Sequence, residues 1–250
     1  MEFSLKKLIL VSNDDGINSE GIKALARALK RVGDVFVAAP DREQSAVSHS
    51  LTLHRPLRVE QLAPAAYAVD GTPTDCINIA VNGILKKRPD LVVSGINKGG
   101  NMGDDVTYSG TVSAAIEGTL FGIPSFAVSL VSRENFDFTI AARFAARLAR
   151  FILKNGLPKD TLLNVNVPEG NDIQGYRITK QGKRVYGDAV IEKVDPRGKK
   201  YYWIGGDMLR WEGGKDTDFE AIANNFISIT PVHLDMTNHA ALKELHKWKL

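Results

Sequence analysis

The chain has 250 residues, and its 32 basic and 29 acidic side chains leave a formal net charge of +3, so no bulk attraction to a nucleic acid polymer or a membrane surface is built in. That length suits one large α/β unit, and no apolar run approaches the ~20 residues of a membrane span. The lone cysteine, Cys76, excludes an intramolecular disulfide and a thiolate-rich metal site, which fits a reducing, cytoplasmic setting.

The first segment, "MEFSLKKLILVS", reads as a strand and not a signal peptide, because its apolar run passes at once into Asp14 and Asp15. After this strand at 6–12, residues 19–33 carry a Ser19 cap, an apolar stripe of Ile22, Leu25, Ala26 and Leu29, and a closing Gly33, which predicts a helix. A second strand at 34–39 runs into the polar stretch "APDREQSAVSHS", and 51–71 departs from the pattern as an extended hairpin or arm. Thr72 and Pro73 open a helix over 72–86, with Cys76 on its apolar face. Strands at 90–95, 125–130 and 162–167 alternate with helices at 109–122 and 138–156. Nearly continuous apolar runs alternating with helices predict an α/β fold with a doubly wound, mostly parallel sheet.

From about 171 the texture changes. β-Branched and aromatic residues alternate around "DPRG", predicting a C-terminal antiparallel β-hairpin extension over about 171–214. Within it, "RGKK" at 197–200 reads as a solvated tip. Residues 215–235 return a strand to the core of about 1–170, so that 1–250 forms a single α/β domain. An amphipathic terminal helix at about 237–250 presents Leu242, Leu245 and Trp248 to another surface.

In such a sheet, ligands bind where loops leave the carboxyl ends of the strands. Three polar loops do so here. The first carries Asn13, Asp14 and Asp15; the second Ser45, Ser48 and His49; the third Asn97, Lys98, Asn101, Ser109 and Thr111. Two carboxylates among hydroxyls and amides make an oxygen-only set, suited to Mg²⁺ or Mn²⁺. The Gly-rich stretch "NKGGNMG" and the helix start at "YSGTVSAA" offer backbone donors to an anion. Cation and anion cradle together indicate phosphoryl chemistry. His49 and His54 read as loop or hairpin residues, and Asp104 and Asp105 as a solvated loop with an outside claim on a second cation.

Two other acidic-pair families fit less well. A phospho-accepting receiver domain would place an Asp where "RPDLVVSGIN" has Ser94 and Gly95. An Asp-x-Asp phosphatase spaces its carboxylates by two, whereas adjacent side chains leave an extended backbone in opposed directions and need a turn to converge.

Taken together, "ILVSNDDG", "APDREQSAVSHSLTL", "GTPTDCINIA", "PDLVVSGINKGGNMGDDVTYSGTVSAAIEG" and "DTDFEAI…ISITPV" resemble the SurE family of survival proteins, metal-dependent 5′-nucleotidases. The resemblance implies a Rossmann-like sheet and one divalent cation per subunit, Mg²⁺ or Mn²⁺, held by Asp14, Asp15, Ser45 and Asn97. It implies hydrolysis of nucleoside 5′-monophosphates, with 3′-monophosphates and short polyphosphates as further substrates, and a homodimer or homotetramer formed through C-terminal arms. On this reading Asp14, Asp15, Asn97 and Ser109 are catalytic. Asn101, Gly110 and Thr111 join Asn97 and Ser109 in binding the phosphoryl oxygens, and either Asp14 or Asp15 acts as base. Tyr108, Tyr201, Tyr202 and Trp203 are candidate walls for the base. The competing expectation is a nucleotide-binding, stress-associated interaction protein with little catalysis, which phosphate release from a nucleotide panel distinguishes.

Overall fold

The computed structural model describes residues 6–185, 190–204, 210–212 and 214–249. In chain order these form β1 (Leu8–Ser12), α1 (Glu20–Leu29), β2 (Asp34–Pro40), β3 (Val59–Ala63), β4 (Ala66–Val69), α2 (Pro73–Ile79), β5 (Leu91–Lys98), α3 (Gly110–Leu120), β6 (Ser125–Val131), α4 (Thr139–Asn155) and β7 (Thr161–Pro168). Then follow β8 (Tyr176–Ile178), β9 (Lys183–Val185), β10 (Val190–Val194), β11 (Lys200–Ile204), β12 (Arg210–Glu212), α5 (Asp218–Ala223), β13 (Ile227–His233) and α6 (His239–Leu245).

Nine strands form one sheet in the order β3-β4-β2-β1-β5-β6-β7-β13-β8. The run from β4 to β7 is parallel throughout, while β3 and β13 pair antiparallel with β4 and β7. Alternation along β1 explains both layers. Ile9 and Val11 pack with Ile22, Leu25 and Leu29 of α1 and Ala141, Ala145 and Ala149 of α4. Leu10 faces the other way, with Cys76 and Ile77 of α2 and Ala114 of α3. Covering both faces requires strands apolar at every position, which is why they read as continuous runs. The expected α/β doubly wound, Rossmann-like sheet is therefore the fold observed.

Strand order also locates the site. From β1 the chain moves outward through β2 to β4, then returns to β5 on the opposite side of β1 and continues to β6 and β7. The order thus reverses between β1 and β5, and a crevice forms beyond their carboxyl ends.

Several elements differ from expectation. The helix predicted over 72–86 is α-helical only to Ile79 and continues as a π-helical turn over Ala80–Ile84. The 51–71 arm contains the antiparallel β3–β4 pair, anchored because β4 pairs with β2. β8, expected within the C-terminal extension, instead forms the edge of the main sheet beside β13. Beyond it lie two small antiparallel ladders, β9–β12 and β10–β11. α6 is shorter than predicted and buries none of its residues; Trp248, just beyond it, is 66% exposed. Among the described residues no helix is long and apolar enough to cross a membrane.

The start of α1 lies directly on β5: a Cβ on Gly21 would sit 2.0 Å from the carbonyl oxygen of Ile96. Gly21→Ala should therefore force the helix off the sheet and destabilise the protein by about 1–3 kcal/mol. Urea unfolding should show a lower midpoint with an unchanged m-value, and an unchanged midpoint would contradict this packing.

Candidate active site

The turn after β1 resolves the geometric difficulty of two adjacent carboxylates. Buried Asn13 donates through Nδ2 to the carbonyl of Gly16 (3.0 Å) and to Ser19 Oγ (2.8 Å). Gly16 supplies φ +90°, and a Cβ there would lie 3.1 Å from the Arg42 carbonyl carbon. Bent in this way, the two side chains reach different neighbours. The Thr111 hydroxyl donates to Asp14 Oδ1, and the Lys98 backbone N–H donates to Asp15 Oδ2 at 3.2 Å. α3 approaches so closely that a Cβ on Gly110 would stand 2.9 Å from Asp14 Cβ. Only glycine fits there.

Asp14 is 6% exposed. Burial pushes its pKa up to about 6, with the Asp15 charge adding and the Thr111 hydrogen bond opposing. Asp15 is also raised, first by burial and further by Glu43, against the Lys98 backbone bond and the Lys98 charge. No ion pair among the described residues involves either carboxylate. The two acids thus stand side by side with only the Lys98 charge acting on Asp15 and no direct ion pair to either among the described residues.

The second loop is laid across this turn. The Gln44 N–H donates to the Asp14 carbonyl (2.8 Å), and the Ser48 N–H donates to the Tyr108 carbonyl (3.1 Å). Ala46 and Ser48 adopt φ of 56° and 54°. Ser45 Oγ donates to Glu43 Oε1 at 2.6 Å, which commits its proton and leaves oxygen lone pairs for another partner. His49 Nε2 donates to Glu117 Oε2 at 2.8 Å, and Asn78 Nδ2 donates to Glu117 Oε1 at 3.0 Å.

In the third loop, the pairing of β5 with β6 slips between Gly95 and Asn97, an irregularity that re-aims the strand end. Asn97 Nδ2 donates to the carbonyls of Gly99 (2.9 Å) and Lys98 (3.3 Å), so its Oδ1 takes no part in these bonds. Asn101 is anchored inward: its Nδ2 donates to Ser129 Oγ (2.9 Å), and its carbonyl accepts from Asn164 and Asn166. Ser109 caps α3 by accepting from the Val112 N–H at 3.1 Å.

Asp14, Asp15, Gly110 and Thr111 are therefore in direct or near contact. Ser45 and Asn97 are placed beside them by Gln44 and Lys98. Ser109 stands at the head of the same helix, and Asn101 turns its amide into the sheet. Asp104 and Asp105 accept from Arg184, through its backbone N–H (3.1 Å) and its guanidinium respectively, so they hold the root of the C-terminal extension. Among the described residues no three His, Cys, Asp or Glu side chains are grouped to hold a metal. A cation at the pair would draw on hydroxyl and amide oxygens as well, and an all-oxygen donor set with two uncompensated carboxylates fits a hard divalent ion.

Two site-shaping residues lay unassigned in the sequence. Glu117 is buried, with both carboxylate oxygens taken by His49 and Asn78. Asp218, fully buried in "DTDFEAI", accepts from the backbone N–H groups of Gly103, Gly182 and Phe219, at 2.8, 2.8 and 2.9 Å. For Glu117 the signal was a single carboxylate in the otherwise uncharged helical stretch "SGTVSAAIEGTLFG"; Asp218, flanked by Asp216 and Glu220, offered no such local signal.

The raised Asp14 carboxyl has a measurable consequence. Between the ordinary Asp value near 3.9 and about 6, the native state holds a proton that the unfolded chain has released. Stability without divalent ions should therefore fall as pH rises through this window, by on the order of 2–3 kcal/mol. Urea unfolding in EDTA at pH 4.5 and 7.5 should show this fall in the wild type and a much smaller one in Asp14→Asn. Equal falls would contradict the assignment.

The family model for survival protein SurE matches residues 9–188. A 5′-nucleotidase SurE of Geobacter sulfurreducens is 56% identical over 245 residues, covering 97% of this chain and 94% of that protein. One of Geobacter metallireducens is 55% identical over 243 residues, with 96% of each covered. The crystal structure of the SurE protein from Aquifex aeolicus matches with a TM-score of 0.87 at 46% identity, over 95% of this chain and 98% of that one. Near full-length identity and a shared fold agree with the resemblance carried by the loop motifs: the chain belongs to the survival protein SurE family.

Proposed function

We infer that the protein is a 5′-nucleotidase, a phosphomonoesterase that uses one divalent cation per subunit, Mg²⁺ or Mn²⁺, to hydrolyse nucleoside 5′-monophosphates. The observation that carries the metal dependence is the pair of buried Asp14 and half-buried Asp15, neither of which has a cationic side chain at hydrogen-bond range among the described residues. Relatives named 5′-nucleotidase SurE support the enzyme over an interaction protein with little catalysis.

The carboxylates of Asp14 and Asp15, with Ser45 Oγ and Asn97 Oδ1, would hold the cation. When bound, it supplies Lewis-acid polarisation of the phosphoryl group and lowers the pKa of water at the site. The chain's own groups supply the rest. The N–H groups of Gly110 and Thr111, at the positive end of the 11-residue helix α3, receive phosphoryl oxygens and the charge that builds on them in the transition state. Ser109 accepts the capping bond from Val112, which leaves its own hydroxyl proton free to donate to the same oxygens. Asn101 keeps the Gly-rich loop against the sheet so that these donors stay aimed. One carboxylate of the pair takes the proton from the attacking water.

Every group so assigned addresses the phosphoryl end of the substrate. We therefore extend the reading to nucleoside 3′-monophosphates and short polyphosphates. We further propose self-association as a homodimer or homotetramer through the C-terminal arm, where the β10–β11 ladder exposes Tyr201, Tyr202 and Trp203. The single free thiol, Cys76, is buried, which suits a cytoplasmic location.

Phosphate release from a panel of nucleoside monophosphates should require Mg²⁺ or Mn²⁺ and vanish in EDTA. Asp14→Asn and Asp15→Asn should each abolish it while circular dichroism stays unchanged. Ser109→Ala should cost less, about 10²-fold in kcat, as for loss of one transition-state donor. Full activity in EDTA would overturn the metal mechanism, and an unchanged Ser109→Ala rate would remove Ser109 from the cradle.

A further inference from the structure

The loop bearing Ser45 enters the site from β2 and must hold its hydroxyl still, yet it is mostly solvent-exposed and contributes little to the core. Its ends are held where the Asp41 N–H binds the Val69 carbonyl and the Thr72 hydroxyl binds the Ser50 carbonyl, both at 2.8 Å, and three further ties hold the stretch between. The Gln44 N–H binds the Asp14 carbonyl, the Ser48 N–H binds the Tyr108 carbonyl, and the His49 side chain reaches Glu117. Glu117 lies on α3, 5% exposed, two turns beyond the end that contacts Asp14. Its second oxygen is occupied by Asn78, which α2 supplies. The His49 tie thus ends on a buried carboxylate held between two helices, and it grips the loop just after Ala46 and Ser48, whose backbone is held at positive φ.

We propose that His49 and Glu117 are positioning residues for the cation site: their hydrogen bond fixes the 41–50 loop on α3, so that Ser45 is presented to the ion already held by Asp14 and Asp15. The proposal rests on the cation-dependent reading above. Neither residue touches the cation or the substrate. α3 then sets three things at once: Thr111 orients Asp14, the Gly110 end faces the phosphoryl group, and Glu117 anchors the loop carrying a further cation ligand. Side chains that orient metal ligands from outside the coordination shell typically contribute 10–100-fold to metal affinity.

The test is Mn²⁺ binding in the absence of nucleotide, read from the electron paramagnetic resonance signal of free Mn²⁺. His49→Ala should weaken binding at least tenfold, and turnover lost at limiting Mn²⁺ should return in excess Mn²⁺. His49→Gln, which restores a donor, should recover most of the affinity. Asn78→Ala removes the other partner of Glu117 but leaves the loop tied, so it should lower thermal stability with wild-type Mn²⁺ affinity. Should His49→Ala not fold, Glu117→Leu, which removes the buried charge together with the tie, carries the same expected loss. Wild-type affinity in the folded His49 or Glu117 variant, or an equal loss in Asn78→Ala, would overturn the positioning role. Failure of the wild type itself to bind Mn²⁺ would instead overturn the cation reading, and this proposal with it.

Discussion

Two neighbouring carboxylates at the crevice, neither in an ion pair among the described residues, are the constraint around which the rest of the site is arranged. At a few ångströms such charges repel by about 1 kcal/mol in water and by several times that where solvent is scarce. A fold selected for stability alone would separate or pair them. Here they stay neighbours: the turn at Gly16 sets Asp14 against α3 and Asp15 against the Lys98 N–H, Gly110 is bare so that α3 can close on Asp14, and Thr111 spends its hydroxyl on that carboxylate. Burial, with the Asp15 charge adding, raises the Asp14 pKa, and a divalent cation bound at the pair would offset both.

The position of the pair follows from topology. β1 is central, β2 and β5 flank it, and the order reverses between β1 and β5. Three loops therefore meet over one strand end. What holds them in register is a layer of buried polar contacts outside the reacting region. Asn164 and Asn166 of β7 and Ser129 of β6 clasp Asn101 from the sheet. Asp218 grips Gly103 and Gly182, so the Gly-rich loop and the root of the C-terminal extension share one buried carboxylate. Burial raises the Asp218 pKa while its backbone donors oppose the rise. An uncommitted charge there would be costly, which ties the Gly-rich loop to the geometry of the extension.

Much of this was legible in the sequence. Continuous apolar strands, the Ser19 and Thr72 caps and the Gly-rich third loop gave the doubly wound sheet and its ligand-binding edge, because each is a local consequence of backbone geometry and burial. The oxygen-only character of the site followed from residue types alone. Other features depended on contacts between distant positions. Gly103 and Asp218 are 115 residues apart, and His49 and Glu117 are 68 apart; no local pattern assigns such pairs. Asn101 looked like a ligand for phosphate because it lies in a Gly-rich loop, yet its amide is turned into the sheet by partners on β6 and β7. β8 was read with the hairpins because a three-residue strand has too little pattern to reveal which edge it joins. The acidic pair Asp104–Asp105 resembled Asp14–Asp15 in sequence, and Arg184 is what separates their roles.

On the function proposed, the Asp14–Asp15 pair holds a catalytic divalent cation together with Ser45 and Asn97. Crystals grown with Mn²⁺ and measured at the manganese absorption edge test it most directly. One anomalous peak per subunit is expected, within about 2.0–2.4 Å of oxygens from Asp14, Asp15, Ser45 and Asn97, as for a hard cation in an oxygen shell. A peak elsewhere, or none at this pair in crystals that hydrolyse a soaked nucleoside monophosphate, would contradict it.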